Sequence, residues 1–150
     1  MNFKTIKILI FLFLVGFFSN CSIIEETEII PTLIGKGNLM GSENIAQQNI
    51  VISNEVSWLD LISQMDTYNS YSSGFTETDI EFETYMLVAV FDQIYGNGGH
   101  GLEINSIYEN DTEIKIDVEK VNPAGDATCV ISQPYYIVKI PKSNKTVVFN

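Results

Sequence analysis

The sequence predicts an α+β fold, a single antiparallel sheet of about six strands with one helix packed against it. Most apolar residues alternate with polar ones or form short unbroken runs, as strands require. Only one stretch repeats its apolar residues every three to four positions, as an amphipathic helix does. With 150 residues the chain has room for one domain. We assign that domain to residues 33–150.

Residues 1–20 have the composition of a secretory signal that is cleaved from the mature protein. Lys4 and Lys7 precede an apolar run, Ile8 to Phe18, and small or polar residues follow it. This order of a basic, an apolar and a short polar region is typical of such signals. The apolar run has eleven residues, whereas a membrane-spanning helix needs roughly 17–25. We therefore exclude the segment from the fold.

Cys21 changes the prediction from a secreted to an anchored protein. The layout of residues 1–21 resembles a bacterial lipoprotein signal, in which the chain is cut before the cysteine and the cysteine is then acylated. Asn20 departs from this pattern, which favours Gly, Ala or Ser before the cut. Stable anchoring takes more than one acyl chain, because a single chain binds lipid only marginally. The alternative is ordinary secretion with a free cysteine.

Residues 21–32 follow as an acidic tether, with Glu25, Glu26 and Glu28 set among isoleucines. We expect this tether to lift the domain off the lipid. Acidic residues in this place also resemble the surface-export signals of some lipoproteins. The expected location is the bacterial cell envelope, on the periplasmic or surface face of the outer membrane.

Charge and cysteine content exclude several classes of partner and of framework. The formal net charge is −11, and six lysines remain against nineteen acids once the first twenty residues are removed. Nucleic acid and anionic membrane surfaces are therefore disfavoured as partners. When Cys21 is acylated, Cys129 has no partner within the chain, so a disulfide framework is excluded.

The first half contains one predicted strand and the single predicted helix. Gln47 to Ile52 is the first predicted core strand. The helix is predicted at Asn54–Asp66, with Ser53 or Asn54 able to cap its start. Its apolar stripe consists of Trp58, Leu61, Ile62 and Met65, at i, i+3, i+4 and i+7.

An acidic strand is predicted next, from Glu77 to Glu83. Its acids occupy every second position and oppose Ile80 and Phe82, so they share one face of a strand. One interpretation is a calcium site, but the spacing lacks the short loop of alternating Asp that encloses calcium. We favour a solvated face and expect neither a metal nor a cofactor.

The stretch from Tyr85 to Gly101 is the centre of the predicted fold. Tyr85 to Phe91 is apolar throughout, as expected of a strand covered on both faces. The chain then enters a loop with four glycines around Asn97 and His100, which allow positive φ and close backbone approach. Further strands are predicted at Leu102–Tyr108, Glu113–Val118, Tyr135–Ile140 and Thr146–Phe149.

No enzyme motif stands out in the chain. His100 is the single histidine, and one histidine with one free cysteine provides too few ligands for zinc. A Cys129–His100 dyad is conceivable if both residues border the same end of the sheet, but no nucleophile motif surrounds Cys129. No G-x-S-x-G sequence, phosphate-binding loop or dinucleotide fingerprint occurs. We therefore expect a protein that is not an enzyme.

Two groups of residues in the second half resemble the C-terminal domain of PrcB, a protease-complex subunit. The first group, Ala-Val-Phe at 89–91, Asn-Gly-Gly-His at 97–100 and Leu-Glu-Ile at 102–104, is similar to that family's TGGY-x-I-E-I segment. The second, Asn-Pro-Ala-Gly at 122–125, Gln-Pro-Tyr at 133–135 and Ile-Val-Lys-Ile-Pro at 137–141, is similar to its P-x-G loop and PY strand. The resemblance covers Tyr85 to Phe149. Asn97 and His100 stand where the family favours Thr and Tyr.

This resemblance implies a non-enzymatic domain that associates with and stabilises a cell-envelope protease. With the anchor predicted at Cys21, we expect a lipid-anchored interaction module of the envelope that stabilises or assembles with such a protease. It implies partner binding by Gly98, Gly99, His100, Gln133, Pro134 and Tyr135. The same glycines and proline also suit plain turn chemistry. The first alternative is a protease inhibitor that inserts the Gly96–Gly101 loop into a protease cleft. The second, less favoured, is an enzyme that uses Cys129 and His100.

Overall fold

A computed structural model describes residues 25–125 and 128–150. These residues form eight strands, one α-helix and a short 3-10 helix at Tyr71–Gly74. The strands are β1 (Thr27–Glu28), β2 (Thr32–Leu39), β3 (Gln48–Ile52), β4 (Tyr85–Phe91), β5 (Gly101–Glu109), β6 (Glu113–Val121), β7 (Gln133–Pro141) and β8 (Thr146–Phe149), and the helix is α1 (Glu55–Met65). Cys21 and the predicted signal lie outside the described residues. No helix within the described residues is long and apolar enough to cross a membrane.

The strands form two four-stranded sheets, so the prediction of a single sheet is wrong. The central sheet has the strand order β2-β7-β4-β3, and the outer sheet has the order β1-β5-β6-β8. Neighbouring strands pair antiparallel except β6 and β8, which run parallel. The predicted all-antiparallel pairing therefore fails at β8 as well.

The composition of β4 explains why a second sheet is needed. Alternate residues from Leu87 to Phe91 pack in a core on the α1 side, whereas those from Met86 to Val90 pack against the outer sheet. A strand that is apolar at every position must be covered on both faces. The helix covers one face of the central sheet, and the outer sheet covers the other. The fold is a three-layer arrangement of helix, central sheet and outer sheet.

The helix lies where the sequence predicts it. Asn54 precedes α1 in an extended conformation, and its side chain accepts a hydrogen bond from the Ser57 N–H at 2.9 Å. Trp58 is fully buried, stacks on Phe75 with ring centroids 5.8 Å apart, and donates from Nε1 to the Thr78 carbonyl at 2.8 Å. The other residues of the predicted stripe pack into the same core. The predicted helix and its buried face are confirmed.

The sequence does not predict β2, because Gly35 and Gly37 resemble loop residues. In the structure both glycines face aromatic rings of the core. A Cβ atom added at Gly35 would lie 2.5 Å from the ring of Phe75, and one at Gly37 would lie 3.4 Å from the ring of Tyr135. At Gly35 the strand approaches the ring too closely for a side chain, whereas at Gly37 a Cβ atom would make an ordinary contact.

The acidic segment from Glu77 to Glu83 is coil and turn, so the predicted strand is wrong there. Ile80 is buried and Phe82 packs on the core, which agrees with the predicted sidedness. Alternation reports which side chains face the interior, and a coil crossing a core satisfies it as well as a strand does. Across residues 25–125 and 128–150, no group of acidic, histidine and cysteine side chains could hold a metal ion.

The described part of the predicted tether takes part in the fold. β1 pairs with Tyr108 and Glu109 at the end of β5. Glu26 forms a salt bridge with Lys115 of β6, with Nζ and Oε1 2.7 Å apart. Residues 27 and 28 of the predicted tether therefore belong to the outer sheet.

Candidate functional site

The glycine loop, residues 96–101, leads from the end of β4 into β5 and is held in one shape by the segment before β7. The Gly98 N–H donates to the Thr128 carbonyl at 2.9 Å, and Ser132 Oγ donates to the Asn97 carbonyl at 2.9 Å. Gly98 is buried, whereas Gly99 is exposed and has a φ of +87°, which side chains rarely tolerate. The glycines therefore allow the backbone conformation and the close packing that this loop adopts.

His100, the second-last residue of this loop, is half-buried. Its ring lies flat on the ring of Tyr95, with centroids 3.6 Å apart and planes inclined by 6°. Its Nε2 lies 3.3 Å from Asn97 Oδ1, and its buried Nδ1 has no hydrogen-bond partner among the described residues. Aromatic stacking thus accounts for the position of the ring.

Asp92, just after β4, connects the loop to the outer sheet through buried polar contacts. Its Oδ2 accepts from the Tyr95 hydroxyl at 2.7 Å, and its Oδ1 accepts from Lys120 Nζ at 2.6 Å and from Gln47 Nε2 at 3.1 Å. Burial acts to raise the pKa of the Asp92 carboxyl, but the hydrogen bonds from Lys120 and Tyr95 outweigh it and lower the pKa. Burial, and then the neighbouring Asp92 carboxylate, raise the pKa of the Tyr95 hydroxyl. This network fixes the ring on which His100 rests.

The structure places Gln133, Pro134 and Tyr135, three of the predicted partner-binding residues, in the interior. Gln133 is only 1% exposed, and its Nε2 donates to the carbonyls of Ile45 and Asp92 at 2.8 and 3.0 Å. Pro134 and Tyr135 are buried as well. These side chains hold the start of β7 against its neighbours, and a partner could not reach them without opening the fold.

A groove of about 610 Å³ runs beside the glycine loop. Its lining residues are uncharged and come from the end of β2, the glycine loop and the segment before β7: Asn38, Leu39, Met40, Ser42, Gly98, Gly99, Thr128, Cys129, Val130, Ile131 and Ser132. Met40, Val130 and Ile131 are each more than half exposed. Ile94 is also half exposed and lies close by, because a Cβ atom at Gly41 would be 3.0 Å from Ile94 and 3.3 Å from Ile131. Together these side chains form an apolar rim.

The two residues of the suggested enzyme dyad do not form a hydrogen bond with each other in the described residues. Cys129 is an exposed free cysteine on the groove wall. The ring of His100 is occupied by Tyr95 and Asn97, and His100 does not line the groove within the described part of the chain. The groove is lined by apolar side chains together with uncharged polar ones, and its floor at Gly98 is hydrogen-bonded to Thr128.

The apolar rim is the part of the site that the sequence does not predict. Val130 and Ile131 follow Cys129, and no pattern in the sequence predicts a role for them. Met40 and Ile94 lie outside every predicted strand. The available signal is their position, since each is a large apolar residue next to a glycine or loop segment without strand periodicity. These residues belong to no strand or helix that would turn them toward the core, and they are exposed.

Comparison of the chain with known protein families, with characterised proteins and with solved structures gives no match.

Proposed function

We propose that this chain is a non-enzymatic, lipid-anchored interaction module of the bacterial cell envelope. In this proposal, an apolar segment of another envelope protein binds in the groove beside the glycine loop. The observation that carries the proposal is the uncharged groove with its apolar rim of Met40, Ile94, Val130 and Ile131. Exposed apolar clusters of this kind are typical of interaction sites.

The charge pattern supports binding at the groove. The chain carries nineteen acids and eight lysines, yet none of those within residues 25–125 and 128–150 lines the groove. Charged residues are depleted at the centres of protein interfaces, because desolvating them is costly. An apolar partner segment fits this recess, whereas a strongly charged one would gain nothing there.

The hydrogen bonds within the groove also support binding. Its floor includes Gly98, whose N–H is bonded to Thr128, and its wall includes Ser132, whose hydroxyl is bonded to Asn97. A surface that is already ordered loses little conformational entropy when a partner binds. The same contacts weigh against the inhibitor alternative, because an inhibitory loop has to project into a cleft and this loop is folded back on its neighbours.

The position of β1 supports an anchored orientation. β1 follows the proposed acylation site at Cys21 by a few residues and pairs with the last residues of β5. β5 begins at Gly101, next to the glycine loop, and its nine residues span roughly 30 Å at about 3.3 Å per residue. The groove therefore lies at the end of β5 that is distant from the anchor, where a partner has access to it.

The proposal that the partner is a protease rests on the resemblance to PrcB alone. The glycine loop carries part of that resemblance, and in the structure it forms one side of the groove. His100 stands at the position where the family has Tyr. Its ring is also aromatic, and it stacks on the ring of Tyr95. A stabilising subunit is the role that this proposal assigns to the chain.

Co-purification from native envelopes tests the proposal. The tagged full chain, solubilised in detergent, should retain a defined envelope protein that mass spectrometry identifies, and an unrelated lipoprotein should not retain it. Cys21→Ala should leave the detergent-soluble envelope fraction because it has no acyl anchor. A variant that stays uncut in the membrane would contradict the anchor, and retention of no specific protein would contradict the module. For a retained protease, a stabiliser prolongs its activity, whereas an inhibitor lowers its turnover.

A further inference from the structure

The four outer edges of the two sheets differ in how they are protected from pairing with another chain. β1 has two residues and β8 has four, so neither offers a long edge. β2 carries Lys36 and an irregularity in pairing between Leu33 and Gly35, and Pro31 precedes it. Lysine, proline, bulges and short length are the features that keep sheet edges from pairing. β3, one residue longer than β8, carries no lysine, no proline and no irregularity in its pairing with β4.

β3 is a five-residue edge that pairs only with β4 among the described residues. No hydrogen bond that the described residues make outside the sheets uses its backbone. Ile50, Val51 and Ile52 have high strand propensity. Asn49 and Val51 face the side of the outer sheet, opposite Val90 and Val88 of β4, but remain exposed because the outer sheet does not cover them. Side chains of an added strand would lie beside Asn49 and Val51 as cross-strand neighbours.

An acidic hollow lies at the end of β3. Glu55, Glu81 and Glu83 line an open hollow of about 500 Å³ together with the residues that follow Ile52. One lysine, Lys142, lies there and donates to the carbonyl of Phe82. Three carboxylates against one ammonium leave the hollow with negative charge, which attracts a basic partner.

We propose that the outer edge of β3 accepts an extended strand of another protein, with β-branched residues at alternate positions and basic residues at its amino end. Antiparallel pairing is the commoner arrangement, and it places the amino end of the added strand beside Ile52 and the acidic hollow. Main-chain hydrogen bonds to β3 provide affinity, and the basic residues fix direction and register. This site is separate from the groove and does not depend on it.

A second copy of this chain lacks the basic residues that the proposed partner strand needs at its amino end. In antiparallel pairing of two β3 strands, Gln47 and Gln48 of the other copy would lie beside the acidic hollow, and neither carries positive charge. The formal net charge of −11 on each copy opposes their association.

Titration with synthetic peptides tests this proposal on the purified full chain. The probe is the capped peptide KKTVTVTQ, and the controls are EETVTVTQ, with the charge reversed, and KKTVPVTQ, with a proline that interrupts pairing. Calorimetry should show the first peptide binding at least about tenfold more tightly than either control. Hydrogen exchange should show new protection of amides in β3.

Two substitutions locate the site on the protein. Val51→Lys adds a protecting charge to the edge and should weaken binding of KKTVTVTQ at least about tenfold. Tyr108→Lys, at a residue of β5 in the outer sheet that is 38% exposed against 39% for Val51, adds the same charge away from the edge and from the acidic hollow and should bind as the wild type does. Ile131→Asp in the groove should also leave peptide binding unchanged, so the two proposals fail separately. Equal binding of the lysine and glutamate peptides, no binding of either, protection outside β3, or a β3-mediated dimer in sedimentation would overturn the proposal.

Discussion

The ring of Tyr95 lies parallel to the ring of His100 with their centroids 3.6 Å apart, while its hydroxyl donates to the buried carboxylate of Asp92. This pair joins the glycine loop to the end of β4. Through Lys120, which bonds the same carboxylate, it also joins the loop to the outer sheet. The shape of the groove wall therefore depends on stacking and buried hydrogen bonds, and reactive groups are not required.

Replacing His100 by tyrosine should preserve both the fold and partner binding. A tyrosine ring can stack on Tyr95 as the histidine does, and the stacking is what positions this residue. His100→Ala should lower the melting temperature because the stack is lost. Thermal melting and co-purification measure the two effects. A folded His100→Tyr protein that no longer co-purifies with the partner would indicate a chemical role of the histidine and favour the enzyme alternative.

Replacing Gly98 or Gly99 by valine should lower the free energy of unfolding, whereas replacing Gly96 should not. A Cβ at Gly98 would lie 2.6 Å from Thr128 Oγ1, and one at Gly99 would lie 2.8 Å from Pro123 with the backbone at positive φ. Each substitution should cost about 1–3 kcal/mol in the free energy of unfolding. Gly96→Val is the matched control, since nothing lies within 4 Å of a Cβ there. Equal stability of all three variants would show that the loop has no required shape.

The helix-side core should depend strongly on Trp58. Trp58→Ala should lower the free energy of unfolding by about 3–5 kcal/mol, because it empties a fully buried aromatic site and removes the hydrogen bond to Thr78. Glu81→Gln, on the exposed acidic segment, should change it by less than about 0.5 kcal/mol. Denaturant titration measures both values. A comparable loss in Glu81→Gln, or a melting temperature raised by calcium, would mean that the acidic segment binds metal.

The buried Asp92 carboxylate should contribute to acid sensitivity. Its pKa in the folded protein is below the ordinary value of 3.8, so the stability that it contributes is present above that value and is lost as the pH falls through the folded pKa. Asp92→Asn should therefore flatten the loss of stability at acid pH, and the exposed Asp79→Asn should not. Melting temperatures recorded from neutral pH down to pH 3 provide the test. Equal slopes for Asp92→Asn and the wild type would contradict the ion pair with Lys120.

The sequence predicts local elements well where a single periodicity decides them. Helix α1 follows from the spacing of Trp58 and its stripe, and β4 follows from its unbroken apolar run. The number of sheets does not follow, because strand pairing is set by residues distant in the chain. The apolar residues on both faces of β4 indicate that each face packs against another element, but they do not indicate which element that is.

The site is predicted only in part for a related reason. Gly98 and Gly99 are found because glycine density indicates backbone constraint, and the structure places both in the groove. Gln133 and Tyr135 belong to a short polar and aromatic motif that suggests a surface, yet burial depends on the whole fold and places them inside. The apolar rim is missed because exposed apolar residues have no sequence period.

The most direct test of the groove is the amount of partner that co-purifies with a rim variant. Ile131→Asp places a charge on the apolar rim, and Leu59→Asp places the same charge at a similarly exposed apolar residue of α1, 52% exposed against 60%. Both variants should fold, as circular dichroism and melting can confirm. Ile131→Asp should retain at least about tenfold less partner than the wild type, because desolvating a charge opposes binding. Leu59→Asp should retain the wild-type amount. Equal retention by Ile131→Asp and the wild type would contradict the groove as the binding site.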